Sequence, residues 1–118
     1  MVHYDVWCNL KDSSKDLEFT ERLSAYLGMM QERGAIEGYS LKRRMLGLGP
    51  SELGEFNVTI MLKDLAQLDK AFTAAASRGP GIEPLHKAVY SEVRDLTFGL
   101  SRDFPDDVRI AGEIVKQA

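Results

Sequence analysis

The chain has 118 residues, 28% of them charged and 44% hydrophobic, proportions that exclude the disordered and fibrous classes. A chain of this length forms one domain and buries roughly two-thirds of the surface its unfolded form exposes, so it needs no disulfide or metal staple. A formal net charge of -3 with a pI near 5.4 speaks against a nucleic-acid module, which carries a basic surface.

The one cysteine, Cys8, lies in an apolar run, which leaves neither a disulfide framework nor a cysteine zinc site. With two histidines, His3 and His86, and no closely spaced acidic ligands, no metal and no cofactor are expected. No basic segment followed by an apolar one opens the sequence, and no apolar run approaches the ~20 residues of a membrane span. The expectation is a soluble, cytoplasmic protein with neither nucleic acid nor membrane as partner.

Val2, Tyr4, Val6, Cys8 and Leu10 alternate with His3, Asp5, Trp7 and Asn9, a strand whose two faces both carry substance and which suits the centre of a sheet. KDSSKD breaks the alternation, and Ser13 with Asp16 three residues on predicts a capping box. The helix that follows carries an apolar stripe of Phe19, Leu23, Leu27 and Met30, and Gly34 ends it. Ile36 to Lys63 reads as two extended runs joined by a connection rich in turn formers: Gly47, Gly49, Pro50 and Gly54. The first run, Tyr39 to Met45, contains Lys42, Arg43 and Arg44, charges that suit a solvated edge strand. In the second, Phe56, Val58, Ile60 and Leu62 alternate with Asn57, Thr59 and Met61.

Asp64 and Gln67 predict the cap of a second helix with a buried stripe of Leu65, Leu68, Phe72 and Ala75, ended by Arg78-Gly79-Pro80-Gly81. Pro84 fits the first turn of a short third helix that points Leu85, Val89 and Val93 inward. A last strand, Arg94 to Arg102, sets Leu96, Phe98 and Leu100 against Asp95, Thr97 and Ser101. Pro105 interrupts, and Asp106 or Asp107 is expected to cap a C-terminal helix with a stripe of Val108, Ala111, Ile114 and Val115.

This order predicts an α+β fold of the ferredoxin-like βαββαβ type, a single domain over residues 1–118 with a core at 1–104 and a helical extension at 105–118. The four-stranded sheet is expected to be antiparallel or mixed, with strands one and three side by side and parallel in the centre. Both helices lie on the face shared by Tyr4, Val6, Cys8, Phe56, Val58, Ile60, Leu96, Phe98 and Leu100. The opposite face collects His3, Asp5, Trp7, Asn9, Asn57, Thr59, Met61, Asp95, Thr97 and Ser101. Trp7 and Met61 would stand in water there, so a partner is expected to cover them, set against the reading of a solvated face with two stray apolar groups.

YDVWCNL, IEGY, LGEF, LAQLD, LH and RDFP resemble a small bacterial family within the dimeric α/β-barrel superfamily, in which two ferredoxin-like subunits stack sheet against sheet around a cavity. The resemblance spans most of the chain up to Pro105 and implies a fold and a homodimer. The superfamily includes heme-degrading and quinone-forming monooxygenases, isomerases, a chlorite-dismutase branch and many proteins of unknown role.

His86 is a candidate general base or heme ligand, set against the simpler reading of a partly exposed histidine with one backbone hydrogen bond. Trp7, Asn9, Asn57 and Thr59 form a patch on which amides and an indole N–H can orient a carbonyl or hydroxyl, as cofactor-independent monooxygenases of the superfamily do by analogy. The same patch serves equally as a hydrogen-bonded dimer interface. Asp5 and Asp95 form a coupled carboxylate pair if adjacent, or are neutralised by a cation such as Arg44. NVTIML lacks the aromatics of an RNA-recognition strand, LKDSSKD lacks an acylphosphatase cradle, and no P-loop, dinucleotide fingerprint or nucleophile elbow is present.

The resulting expectation is a homodimer that binds a small apolar or aromatic molecule in a cavity at the polar sheet face between the subunits, or else between sheet and helices near His86. The ligand-binding residues expected are Asp5, Trp7, Asn9, Asn57, Thr59, Met61 and His86. Two alternatives stand beside it. One is a cofactor-independent monooxygenase or isomerase with Asn57 and His86 as polarising and proton-transferring groups; the other is a purely structural dimer.

Overall fold

Strand alternation sorts the side chains, and the order of connections decides which strands meet. In the computed structural model, which describes residues 1–77, 79, 81–105, 109–110 and 113–114, β1 (Val2–Leu10) is central. It pairs with β3 (Phe56–Leu62) on one side and β4 (Val93–Arg102) on the other, while β2 (Gly38–Arg43) pairs with β3, giving the order β2-β3-β1-β4. Every pairing in this sheet is antiparallel. The expected parallel pairing of the two central strands is therefore wrong: the crossover through the first helix makes β2 parallel to β1 two places away, and the hairpin turns β3 against both.

The register brings Leu41, Val58 and Val6 across the sheet on the helix side, and Ser40, Thr59 and Asp5 on the other. β2 is an edge strand, as its charges predicted. Between Trp7 and Asn9 the pairing of β1 with β4 shifts, and Asp95 there adopts a positive φ of 57°.

Helix α1 (Asp16–Glu32) buries Phe19, Leu23, Leu27 and Met30, the stripe its spacing predicted. Its entry differs from the expected capping box. Ser13–Lys15 form a turn of 3-10 helix, and Asp12 accepts from the Ser14 amide at 3.0 Å and the Ser14 hydroxyl at 2.6 Å. Asp16 instead accepts from the Leu17 amide at 2.8 Å. Past the helix end Gly34 takes φ 74°, the left-handed conformation that glycine adopts without a Cβ penalty.

Helix α2 (Leu65–Ala76) is capped as predicted: Asp64 accepts from the Gln67 amide at 2.9 Å, and the Gln67 side chain accepts from the Lys63 amide at 2.7 Å. Its buried residues are Leu68 and Ala71, whereas Leu65, expected inside, is 61% exposed. Helix α3 (Glu83–Tyr90) has Pro84 in its first turn and packs on α1 without burying any residue fully. Val93, expected on that helix, is the buried first residue of β4.

The helix expected over 105–118 is not what the described part of that segment forms. Arg109–Ile110 (β5) pairs antiparallel with Glu113–Ile114 (β6), and the rest of the expected helix lies outside the described residues, Val108, Ala111 and Val115 among them. Two-residue pairing satisfies backbone groups that a short helix after Pro105 would also have satisfied, so periodicity alone did not separate the two.

The core lies between sheet and helices, with Phe19, Cys8 and Leu62 its most enclosed side chains and Phe19 meeting Phe56 edge-on at 5.5 Å. Each such burial stabilises by about 1.5–3 kcal/mol. Arg43 clamps α1 to the hairpin through Asp16 at 3.1 Å and Glu55 at 2.9 Å, its guanidinium 5.0 Å from the Phe56 ring centroid. No helix among the described residues is long and apolar enough to cross a membrane.

Candidate functional site

On the helix side, β1 presents Tyr4, Val6 and Cys8, and β4 presents Leu96 and Phe98. Above them α2 offers small groups, Ala71 and Ala75, where longer side chains would close the gap. The result is a cavity of about 320 Å³ between the sheet, α2, α3 and α1. Phe72, Tyr90 and Phe98 line it while roughly half exposed, which places them at its mouth. Tyr4 anchors this rim, edge-on to Phe72 at 5.2 Å and stacked with Phe98 at 6.1 Å.

His86 is the one imidazole in the lining. It sits between Tyr26, edge-on at 5.4 Å, and Tyr90, stacked at 6.0 Å, and its ring makes no hydrogen bond among the described residues. Arg22 holds α3 in place: it donates to the Ala88 carbonyl at 3.3 Å and lies 2.7 Å from the buried Glu92 carboxylate, a close ionic contact outside hydrogen-bond geometry. The described lining residues include no Asp, Glu, Lys or Arg. Burial pushes the Tyr4 and Tyr26 hydroxyls above their ordinary range and the Cys8 thiol up to about 11, so all three stay neutral near pH 7. Cys8 is a buried thiol packed in the core. The described residues hold no cluster of three His, Cys, Asp or Glu side chains suited to a metal ion.

The polar sheet face is organised differently. Asp5 accepts from the Thr59 hydroxyl at 2.5 Å and the Asn57 amide at 3.2 Å. Asn9 donates to Asp95 at 3.1 Å and accepts from the Glu55 amide at 2.9 Å, stitching β1 to β4 and to the loop before β3. Trp7 lies over Gly99, where an added Cβ would stand 3.2 Å from the indole Cζ3. The missing side chain leaves room for the ring there. Met61 reaches across to Gly38, and His3 bonds Asp103 at 2.7 Å, which holds the Asp103 carboxyl below its usual range.

Of the residues singled out in the sequence, Asp5, Trp7, Asn9, Asn57, Thr59 and Met61 therefore share one face. His86 is on the other, so one subunit does not bring Asn57 and His86 together. The Asp5–Asp95 pair is not formed either: Asp5 stands opposite Gly99, and Asp95 bonds Asn9 with Arg94 3.6 Å away. Arg44 neutralises neither, because its guanidinium donates to the Pro50 and Leu53 carbonyls at 2.8 and 2.7 Å. A second groove of about 260 Å³ opens on the polar side between Trp7, Asn57 and the β2–β3 loop. A cavity between sheet and helices near His86 was one of the expected locations, but Tyr4, Tyr26, Phe72 and Tyr90 were not foreseen in its wall, because in the sequence they look like ordinary core or surface aromatics.

The family described as "Family of unknown function (DUF6614)" matches residues 1–115. No curated protein matches. Among solved structures, a dimeric ferredoxin-like protein of unknown function from Jannaschia sp. CCS1 is similar at TM-score 0.63 and 13% identity, over 86% of this chain and 98% of that one. SnoaB, a cofactor-independent oxygenase from Streptomyces nogalater, is similar at TM-score 0.63 and 13% identity, over 89% and 97% of the two chains. A dimeric protein of unknown function and ferredoxin-like fold from Bacteroides fragilis NCTC 9343 is similar at TM-score 0.58 and 14% identity, over 86% and 95%. At these identities the likeness is one of fold.

Proposed function

Starting from a chain that belongs to the family of unknown function DUF6614, we propose that it is a homodimer whose subunits each bind a small, uncharged, largely apolar molecule between sheet and helices. The observation that carries this reading is the cavity of about 320 Å³ with Tyr26, His86 and Tyr90 along one wall and no charged side chain among its described lining residues. A cationic ligand would find no carboxylate among those residues, and an anionic one no Lys or Arg, so burying either charge there would be costly. An apolar body with one or two hydrogen-bonding groups fits, because the imidazole and the tyrosine hydroxyls are free to orient it. The dimer is supported by helices that cover one sheet face only, and by the dimeric neighbours from Jannaschia and Bacteroides.

Native mass spectrometry of gently purified protein tests this directly: the expected species is a dimer with retained mass. Calorimetric titration with neutral aromatic and aliphatic compounds should then give saturable binding that Val89→Trp, which fills the cavity, abolishes. Binding that survives Val89→Trp places the ligand elsewhere, with the Trp7 groove as the next candidate.

A second reading, a cofactor-independent monooxygenase or isomerase, is favoured by the likeness to SnoaB and by an imidazole without a hydrogen-bond partner in the cavity. His86 would accept a proton from a bound phenol or enol, while Asn57 of the same subunit takes no part. Oxygen uptake with phenols and quinols, lost in His86→Ala, is the expected result. No uptake with ligands that bind leaves the reading of a binding protein without chemistry.

A further inference from the structure

The β2–β3 loop ends in a tip that exposes three large apolar side chains in succession: Met45 at 76%, Leu46 at 86% and Leu48 at 76%. Isolated exposed leucines are unremarkable, but a contiguous apolar tip marks a contact surface. This tip is also held in shape. Arg44 spans the loop to the Pro50 and Leu53 carbonyls, and the Leu48 amide bonds the Met45 carbonyl at 3.0 Å. Leu46 and Gly47 both take positive φ, 56° and 65°, and for a leucine that conformation costs free energy. A fixed loop loses little entropy on docking, which is how a preorganised contact gains affinity.

We propose that this loop is an arm that packs onto a second copy of this chain, at the edge of the polar sheet face. The inference rests on the homodimer reading above and adds the element that holds the dimer together. Continuity favours a second copy over other occupants: Leu48, Pro50 and Leu53 of the loop form one groove with Trp7 and Asn57 of the sheet, so the arm and the face that needs cover are a single surface. A twofold contact then lets each subunit offer both the tip and the groove. A lipid surface is disfavoured by charge. Of the three adjacent cations, Arg43 is paired with Asp16 and Glu55 and Arg44 is turned onto loop carbonyls, while Glu52 and Glu55 add acidic groups to the same stretch.

The test is sedimentation equilibrium over a concentration series of the wild type and of Leu46→Ser/Leu48→Ser, with circular dichroism confirming that these exposed changes leave the fold intact. The expected result is a wild-type dimer whose Kd rises about tenfold or more in the variant, from the loss of two buried leucines. A photocrosslinking residue at position 46 should trap a species of dimer mass with its adduct on the partner's sheet face. A wild-type dimer with unchanged Kd in the variant overturns the arm while leaving the homodimer standing. A wild type that stays monomeric overturns both. Co-sedimentation of the wild type with phosphatidylcholine/phosphatidylserine vesicles, lost in the variant, also overturns the proposal and names the membrane as occupant.

Discussion

The two faces of the sheet are built from the same alternating strands, yet they end in opposite chemical states. On the polar face the hydrogen-bonding groups have already found each other: Asp5 with Thr59 and Asn57, Asn9 with Asp95 and the Glu55 amide. On the helix face the few polar groups, His86 and the tyrosines, stand without such partners around an open apolar volume. The contrast teaches that a concentration of polar residues is not by itself a binding site. Groups that satisfy one another have little left to offer a ligand, whereas isolated polar groups in an apolar wall can fix its orientation.

The sharpest way to break this contrast is to remove mass from the helix side. Leu62, fully enclosed, is expected to cost about 2–5 kcal/mol as Leu62→Ala, read as a lowered denaturant midpoint. On the polar side Asp5→Ala strands the Thr59 and Asn57 donors in part-buried positions, for an expected loss of about 1–3 kcal/mol. Asp5→Asn, which keeps an acceptor, should lose less. If Asp5→Ala proves neutral, water satisfies that face and the network does not hold it. At the periphery of both faces, Asp64→Ala removes the α2 cap and should cost about 1 kcal/mol with no change in ligand binding.

Two smaller effects sharpen the comparison without altering the fold. Trp7 belongs to the polar face, so a ligand in the helix-side cavity should leave its emission nearly unchanged, whereas a ligand in the loop groove should shift it. The Cys8 thiol, raised by burial from its ordinary 9.0 to about 11, binds its proton more tightly folded than unfolded. Its contribution to stability is therefore full below pH ~9 and is lost as pH rises toward 11. Cys8→Ala should flatten that part of the stability curve, measured as the difference between the two proteins by urea denaturation from pH 8 to 11.

The parity of each strand was legible because it is a local property. Val6 and Cys8 alternate with Trp7 whatever surrounds them, and the assignment of Asp5, Trp7, Asn57 and Thr59 to one face followed. The α1 stripe and the Asp64 cap were legible for the same reason, since a helix turn and its cap span only a few residues. Two failures were local, the Ser13–Asp16 capping box and the helix expected over 105–118, and the others are relational. Leu65 fits a stripe by spacing, but the rotation of α2 on the sheet turns it outward and seats Ala71 instead.

What the sequence by itself determined is the succession of elements from β1 to β4, the face each strand residue takes, and thereby the ferredoxin-like βαββαβ plan, because these follow from backbone periodicity and turn chemistry over short distances. Only the tertiary structure decided that Asp95 bonds Asn9 and not Asp5, and that α2 lies over Tyr4 with alanines where a filled core would have larger groups. A cavity is the space that remains after several elements have packed, and its position depends on the distance between helix and sheet. No local pattern encodes that distance, which is why the sequence could name His86 and the helix side as a candidate but not the volume or the walls of the cavity there.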